Sequence, residues 1–252
     1  KEHADRWFVS IQAEVESPAI PEKDQENPVV GVDLGIKTLA TVSDGTQVKN
    51  PQALKRNQRK LRRLQRSLSR KQKGSQNRKR ARARVARLHF KISCIRRDAL
   101  HQATSLLAKT KRVVCLEDLN VRGMLKNRKL SRAVSDCGLH EFRRQMEYKS
   151  RWYGCEIVYV DRFFPSSKLC SDCGWKNEEL TLKDREWVCQ SCGVVHDRDG
   201  NASRNICEEG VRILMELVAG SSSETQNACG GRGSGSGEAA VKLFPVKQEL
   251  IA

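Results

Sequence analysis

The chain has 252 residues, enough for one well-buried core and a small second module. Lys and Arg number 47 against 30 Asp and Glu, a formal charge of +17, and the excess is concentrated in one segment, which points to a polyanionic partner rather than a merely solvated surface. With no run of about eighteen apolar residues and no signal-peptide pattern, a membrane-spanning helix and a secretory leader are both excluded from the reading.

The sequence opens on Lys1 rather than Met, so it reads as a fragment with an upstream domain missing. Trp7–Glu16, with alternating apolar and polar residues, predicts the last strand of such a domain. Residues 17–28 carry Pro18, Pro21 and Pro28 and predict a linker. Val29–Gly35 is a short buried strand with Asp33 near its end. Thr38–Ser43 and Thr46–Lys49 flank Asp44-Gly45, a strong hairpin turn signal, so Asp44 is read as a turn former.

From Pro51 to about Lys109 the pattern is helical, interrupted at Gly74-Ser75. Residues 55–97 hold nineteen Lys or Arg and no Asp or Glu. Leu61, Leu64 and Leu68, then Val85, Leu88, Ile92 and Ile95, recur three or four apart. A helical hairpin with one thin apolar seam and broad basic faces accounts for this. Such a surface tracks phosphates, and Arg62, Arg63, Arg66, Arg70, Arg80 and Arg84 are its candidate nucleic-acid contacts. A calmodulin-target or membrane-surface helix is the weaker rival.

Arg112–Leu119 predicts a second buried strand ending in acids, and 120–137 a polar, basic loop. Leu139–Tyr153 predicts a helix with Leu139, Phe142, Met146 and Trp152 on its apolar side. Cys155–Val160 is a third strand. Asn201–Val218 is a final helix striped by Ile206, Val211, Leu214 and Leu217. After Ala219 the composition collapses to Gly, Ser and charged residues, which predicts a disordered tail over 219–252.

Ten cysteines are present, and four have metal spacing: Cys170, Cys173, Cys189 and Cys192 in C-x2-C-x15-C-x2-C. Four thiolates on two turns can close a tetrahedron around Zn²⁺, and such a closed site is structural. Gly174 and Gly193 let the backbone turn under the metal, and Trp175 and Trp187 are expected to pack inside the module. His196 lies near, but four thiols already saturate the ion. The other six, Cys94, Cys115, Cys137, Cys155, Cys207 and Cys229, are scattered in a way that fits a reducing compartment.

An aspartate after Val-Val-Gly-Val is costly to bury unless a cation balances it, and Glu117 after Val-Val-Cys-Leu obeys the same logic. Asp118 points to the other side of its strand and ranks second. Asp197 and Asp199 flank Arg198 at the head of the last helix, where a carboxylate is also an ordinary N-cap; that bland reading weighs more on Asp197. Asp33, Glu117 and Asp199 converging could hold two Mg²⁺ about 4 Å apart for phosphodiester hydrolysis. No P-loop and no Cys/His nucleophile arrangement competes with that chemistry.

Taken together, GVDLGIKTLATVSDG, VVCLEDLNVRGM, FFPSSKLCSDCGW and HDRDGNASRNI resemble the TnpB (OrfB) proteins of bacterial insertion sequences, relatives of the type V CRISPR effector nucleases. The match runs from about residue 1 to 218. The resemblance implies an α/β, RNase H-like (RuvC) mixed sheet with an inserted basic helical hairpin and an inserted zinc ribbon. It implies an RNA-guided DNA endonuclease using Asp33, Glu117 and Asp199 with catalytic Mg²⁺, and structural Zn²⁺ on the four cysteines. Its partners would be a guide RNA and target DNA, with no membrane, and its place the bacterial cytoplasm, on the nucleoid when bound to DNA. The implied layout is an upstream β domain ending with a linker at 1–28, a nuclease domain over 29–164 with the hairpin at about 51–110, the ribbon at 165–197 and the nuclease domain's final helix at 198–218. Three rivals share these residues: a transposase that also joins strands, an RNA-guided DNA-binding regulator without cleavage, and a junction resolvase on the same fold. The intact acids argue against the second.

Overall fold

The computed structural model describes residues 2–4, 6–14, 19–181 and 183–223. The chain divides into two units, Lys1–Glu216 and Leu217–Ala252. Within the first, a five-stranded sheet runs β5-β4-β3-β6-β7. Its strands are β3 (Val29–Asp33), β4 (Thr38–Val42), β5 (Gln47–Lys49), β6 (Val113–Glu117) and β7 (Glu156–Val160). The first three pair antiparallel, whereas β3–β6 and β6–β7 are parallel. The fold is therefore mixed α/β. β3 and β6 are central and covered on both faces, which is why VVGV and VVCL are unbroken small or apolar runs.

Side chains alternate across the sheet, so the two faces can be separated by residue parity. Val30, Val32, Val114 and Leu116 point into a core with Leu100 and Leu107 of α2 (Gln76–Thr110) and Phe142 and Met146 of α5 (Leu139–Tyr153). Val113, Cys115, Val158 and Val160 point the other way, onto Ile206 and Leu214 of α6 (Arg198–Ser223). Gly31 belongs to this second face. A methyl group there would stand 2.1 Å from the carbonyl oxygen of Ser203 and 2.4 Å from the amide nitrogen of Cys207. Gly210 answers from the helix, where a methyl group would meet the Cys115 sulfur at 2.2 Å. Two glycines thus let α6 lie directly on the central strands.

The basic hairpin consists of α1 (Ala53–Ser69) and α2, joined around Gly74 at φ +85°. Ala53, Leu61, Leu88 and Ile92 form its thin buried seam. Residues 120–137, read as a loop, instead contain α3 (Val121–Lys126) and α4 (Ser131–Cys137). Asn120 caps the first by accepting the Gly123 N–H at 2.9 Å, and Gly138 ends the second at φ +73°. Helix α4 buries Val134 and Cys137, and its buried Asp136 accepts the N–H groups of Leu54 and Lys55 at the start of α1.

Other departures have similarly local causes. Trp152 is 55% exposed because it lies off the inward face of α5, where Lys149 is buried and Tyr153 packs on the core. Lys149 donates to the His101 carbonyl, Thr104 Oγ1 and Ser105 Oγ, and burial first, then Lys109, lowers its pKa to about 8. Of the predicted Trp7–Glu16 strand, only Trp7 is in a strand among the described residues, β2 (Arg6–Trp7), paired with β1 (Glu2–His3); residues 15 and 16 lie outside the described residues. Residues 8–14 alternate correctly but have no neighbouring strand among the described residues to take their backbone hydrogen bonds. The linker is pinned: Lys23 donates to the Ala108 and Tyr153 carbonyls, and buried Lys111 pairs with Asp24 at 2.6 Å and Asp44 at 2.8 Å. Helix α6 begins three residues earlier than predicted and continues through 219–223, the start of the predicted tail; Leu217 is exposed on it. Residues 224–252 of that tail lie outside the described residues.

The close contact at Gly31 gives a direct test. Gly31→Ala should destabilise the chain by roughly 1–3 kcal/mol or more, because the intruding methyl meets backbone that no rotamer change can move. Gly45→Ala has open space around it and should cost only its φ strain, about 1 kcal/mol. Urea denaturation of both variants measures the difference.

Candidate active site

Asp33 and Glu117 sit at the carboxyl ends of adjacent parallel strands. The register pairs Val32 with Leu116, so the acids face each other one residue further on. Parity places both on the α6 side, with Gly31, Val113 and Cys115. Asp199 lies in the first turn of α6. Asp33 is only partly exposed, and its pKa is raised to about 7, first by burial, then by the charges of Glu117 and Asp199. The guanidiniums of Arg198 and Arg185 oppose that rise. Three carboxylates from distant parts of the chain therefore feel one another. They are not clenched: among the described residues, no set of three acids brings ligand atoms within 4.8 Å. Glu117 accepts from buried Ser166 Oγ at 2.6 Å, and Asp199 pairs with Arg185 at 3.3 Å.

Their neighbours divide clearly. Asp197 Oδ1 accepts the Gly200 N–H at 2.8 Å and caps α6, which leaves Asp199 to face the other acids. Asp118 turns to the α5 side and pairs with Arg143 at 2.6 Å and with Arg162; these hydrogen bonds hold its carboxyl below the usual range. Ser166 and Arg185 were not among the residues singled out from sequence. Ser166 lies within FFPSSK, but nothing in its spacing announces a partner 49 residues away.

The cysteine module is a two-stranded ribbon of β8 (Glu186–Val188) and β9 (Val195–Asp197). Cys170, Cys173, Cys189 and Cys192 bring their sulfurs together and could hold one metal ion. Cys170 and Cys192 are 3.6 Å apart, as are Cys173 and Cys189. That is too long for a disulfide, and near the ~3.8 Å edge of a tetrahedron with ~2.3 Å metal–sulfur bonds. Gly174 and Gly193 take φ of +73° and +75°, each N–H returning to the carbonyl of the first cysteine of its pair. Burial would push the Cys189 thiol up, but N–H groups of Cys192 and Ser191 and the neighbouring thiols offset it, to about 7. Cys170 and Cys192 are shifted the other way, Cys170 chiefly by burial and Cys192, against the Val194 N–H, by burial and the neighbouring thiols, so the four sulfurs share their protons. His196 stays outside the four, its Nε2 3.0 Å from Cys170 Sγ and its ring 4.9 Å from that of buried Trp187. Trp175 packs partly buried beside it.

Two asparagines bolt this module to α6. Asn201 accepts the Ser171 N–H at 2.9 Å and donates to the Leu169 carbonyl at 2.6 Å. Asn205 donates to the carbonyls of Ser166 and Leu169. The Arg198 N–H reaches the Arg185 carbonyl at 2.7 Å. The ribbon, the helix bearing Asp199 and the serine on Glu117 are one hydrogen-bonded assembly.

On the hairpin, Arg62, Arg63 and Arg66 of α1, Arg70 at its C-cap, and Arg80 and Arg84 of α2 are all exposed. Arg78 differs, folding back onto the carbonyls of Leu68 and Lys71 to close the turn.

Comparison with known proteins then places the chain. Residues 10–128 match the OrfB_IS605 family model, described as a probable transposase, and residues 140–206 match the Cas12f1-like TNB domain. A Streptomyces pristinaespiralis protein named "Putative RNA-guided DNA endonuclease" is 47% identical over 225 residues, covering 86% of this chain and 55% of that protein. InsQ of Escherichia coli K12, named in the same words, is 36% identical over 226 residues, 83% of this chain and 55% of InsQ. The chain belongs to the TnpB (OrfB) family. This TnpB-family chain spans about half the length of those relatives. A cryo-EM structure of a Cas12f1–sgRNA–target DNA complex aligns with a TM-score of 0.53 at 20% identity, over 73% of this chain and 51% of that one, which establishes the likeness of fold.

The crowding around Asp33 has a pH signature in this TnpB-family chain. A carboxyl whose pKa rises on folding from 3.8 to about 7 contributes stability below pH 4 that is lost as pH climbs through 7. In buffer free of Mg²⁺, Asp33→Asn should therefore stabilise the chain at pH 8, by on the order of 2 kcal/mol, and do little at pH 4. Thermal melts at the two pH values decide it; equal effects at both would remove the mutual repulsion from the account.

Proposed function

We propose that the mixed sheet is an RNase H-like, RuvC-type nuclease domain that cuts DNA phosphodiesters, directed by a guide RNA in the complete protein. The observation that carries this reading is the pairing of Asp33 and Glu117 across β3 and β6 on the face that also receives Asp199. The rise of Asp33 to about 7 supports it, since a donor set that repels itself is one a divalent cation relieves. Mg²⁺ held by Asp33, Glu117 and Asp199 would supply activation of water and stabilisation of the leaving oxygen. The chain's own groups prepare the place: Ser166 orients Glu117, and Arg185 shields Asp199. The names of the relatives, RNA-guided DNA endonucleases, favour guide RNA and target DNA as partners. The exposed arginines of α1 and α2 would then follow phosphates without reading bases.

Zn²⁺ fits the cysteines by sulfur spacing and donor type, and its role here is structural. In this reading the layout is the nuclease domain at 29–164, the ribbon at 165–197 and the domain's last helix from 198.

Alanine at Asp33, Glu117 or Asp199 should each abolish cleavage by the RNA-loaded protein while leaving nucleic-acid binding nearly intact. Asp197→Ala should cut, at a cost of about 1 kcal/mol from the lost helix cap. A dead Asp197 variant beside an active Asp199 variant would reverse the assignment. For the ribbon, Cys189→Ser should lose zinc by elemental analysis and lower the melting temperature; an unchanged melt without zinc would contradict a structural ion.

A further inference from the structure

A second feature adjoins the acids on the α5 side of the sheet. A cavity of about 320 Å³ opens beside Glu117. That is near the lower size of small-ligand pockets, roughly 300 Å³, and admits one nucleotide but not a duplex. Leu116 and Leu139 are buried at its base, with Leu34, Leu119 and the Tyr159 ring around them. The walls carry four arginines, Arg122, Arg143, Arg144 and Arg162, and two acids, Glu117 and Glu147. Arg143 stacks over Tyr159 at 4.2 Å and, with Arg162, is held by Asp118. Arg143 also pairs with Glu147 at 3.0 Å, so Asp118 and Glu147 together balance these two guanidiniums. Arg122 and His140 also line the cavity, are exposed, and have no hydrogen-bond or ion-pair partner among the described residues. An apolar base with an aromatic edge suits a nucleobase, and the unpaired Arg122 guanidinium with the His140 ring beside it suits its phosphate.

We propose that this cavity seats one nucleotide of single-stranded DNA flanking the bond that is cut, with the base over Leu119 beside the Tyr159–Arg143 stack and the phosphate against Arg122 and His140. The proposal rests on the nuclease reading for which strand is present, but the seat itself is testable without cleavage. Asp118 then acts as a positioning residue that holds Arg143 and Arg162 in place.

The test is photo-crosslinking of the RNA-loaded protein, in Ca²⁺, to single-stranded DNA carrying one iododeoxyuridine walked along the strand. Crosslinks should fall on the peptides containing His140 or Tyr159 for one position only, next to the bond cut when Mg²⁺ is added. Arg122→Gln with His140→Ala should lower that yield about tenfold, the scale of a lost charge-assisted contact. Both residues are exposed, so the variant should melt like the parent. Tight binding with crosslinks confined to α1 and α2 would overturn the seat, as would normal cleavage with no crosslink at these peptides, or no binding of single strands. Crosslinks at His140 or Tyr159 with no cleavage would keep the seat and remove the nuclease reading.

Discussion

Helix α6 rests its backbone on strand β3 because Gly31 has no side chain. The carbonyl of Ser203 and the amide of Cys207 occupy the space a methyl group would need. Two residues along β3 comes Asp33, and four residues back along α6 from Ser203 comes Asp199. The close approach therefore sets how near the two carboxylates can come. Gly210 against Cys115 fixes the same helix at a second point, on the strand that ends in Glu117. Interiors pack at nearly crystalline density, so two backbone contacts of this kind leave α6 little freedom to drift.

That geometry gathers negative charge, and the surrounding structure manages it. Burial and two neighbouring acids raise Asp33 to about 7, while Arg185 reaches from the ribbon to Asp199. The ribbon does more than carry an arginine. Asn201 and Asn205 tie its first cysteine turn to α6, and Ser166, in the same short segment, holds Glu117. Metal binding to four thiolates is folding free energy for so small a module. The ribbon and the head of α6 are thus joined by hydrogen bonds, so a metal that ordered the four cysteines would also steady Asp199.

Much of this was legible in the sequence because the physics was local. A buried strand flanked by partners on both faces must be apolar until it ends, so an acid at its end stands out. Nineteen positive charges with a thin apolar seam interrupted at Gly74-Ser75 favour a helical hairpin, and paired cysteines at metal spacing point to one cluster. What stayed hidden depended on distant groups. Whether Asp197 or Asp199 caps α6 is settled by where the Gly200 N–H points. Helices α3 and α4 are short, capped by Asn120 and Gly138, and α4 is held by the buried Asp136 accepting N–H groups from α1. The alternation after Trp7 promised a strand, yet alternation only licenses pairing and cannot supply the neighbour. Ser166 and Arg185 gained their roles only when the chain folded.

The most direct measurement of the central claim is anomalous diffraction from crystals soaked in Mn²⁺. The account predicts density touching Asp33, Glu117 and Asp199 together, with the Arg185 guanidinium withdrawn from Asp199. Mn²⁺ absent from that face, or bound without Asp199 while Arg185 keeps its pair, would contradict the claim that the β3–α6 contact builds one cation site.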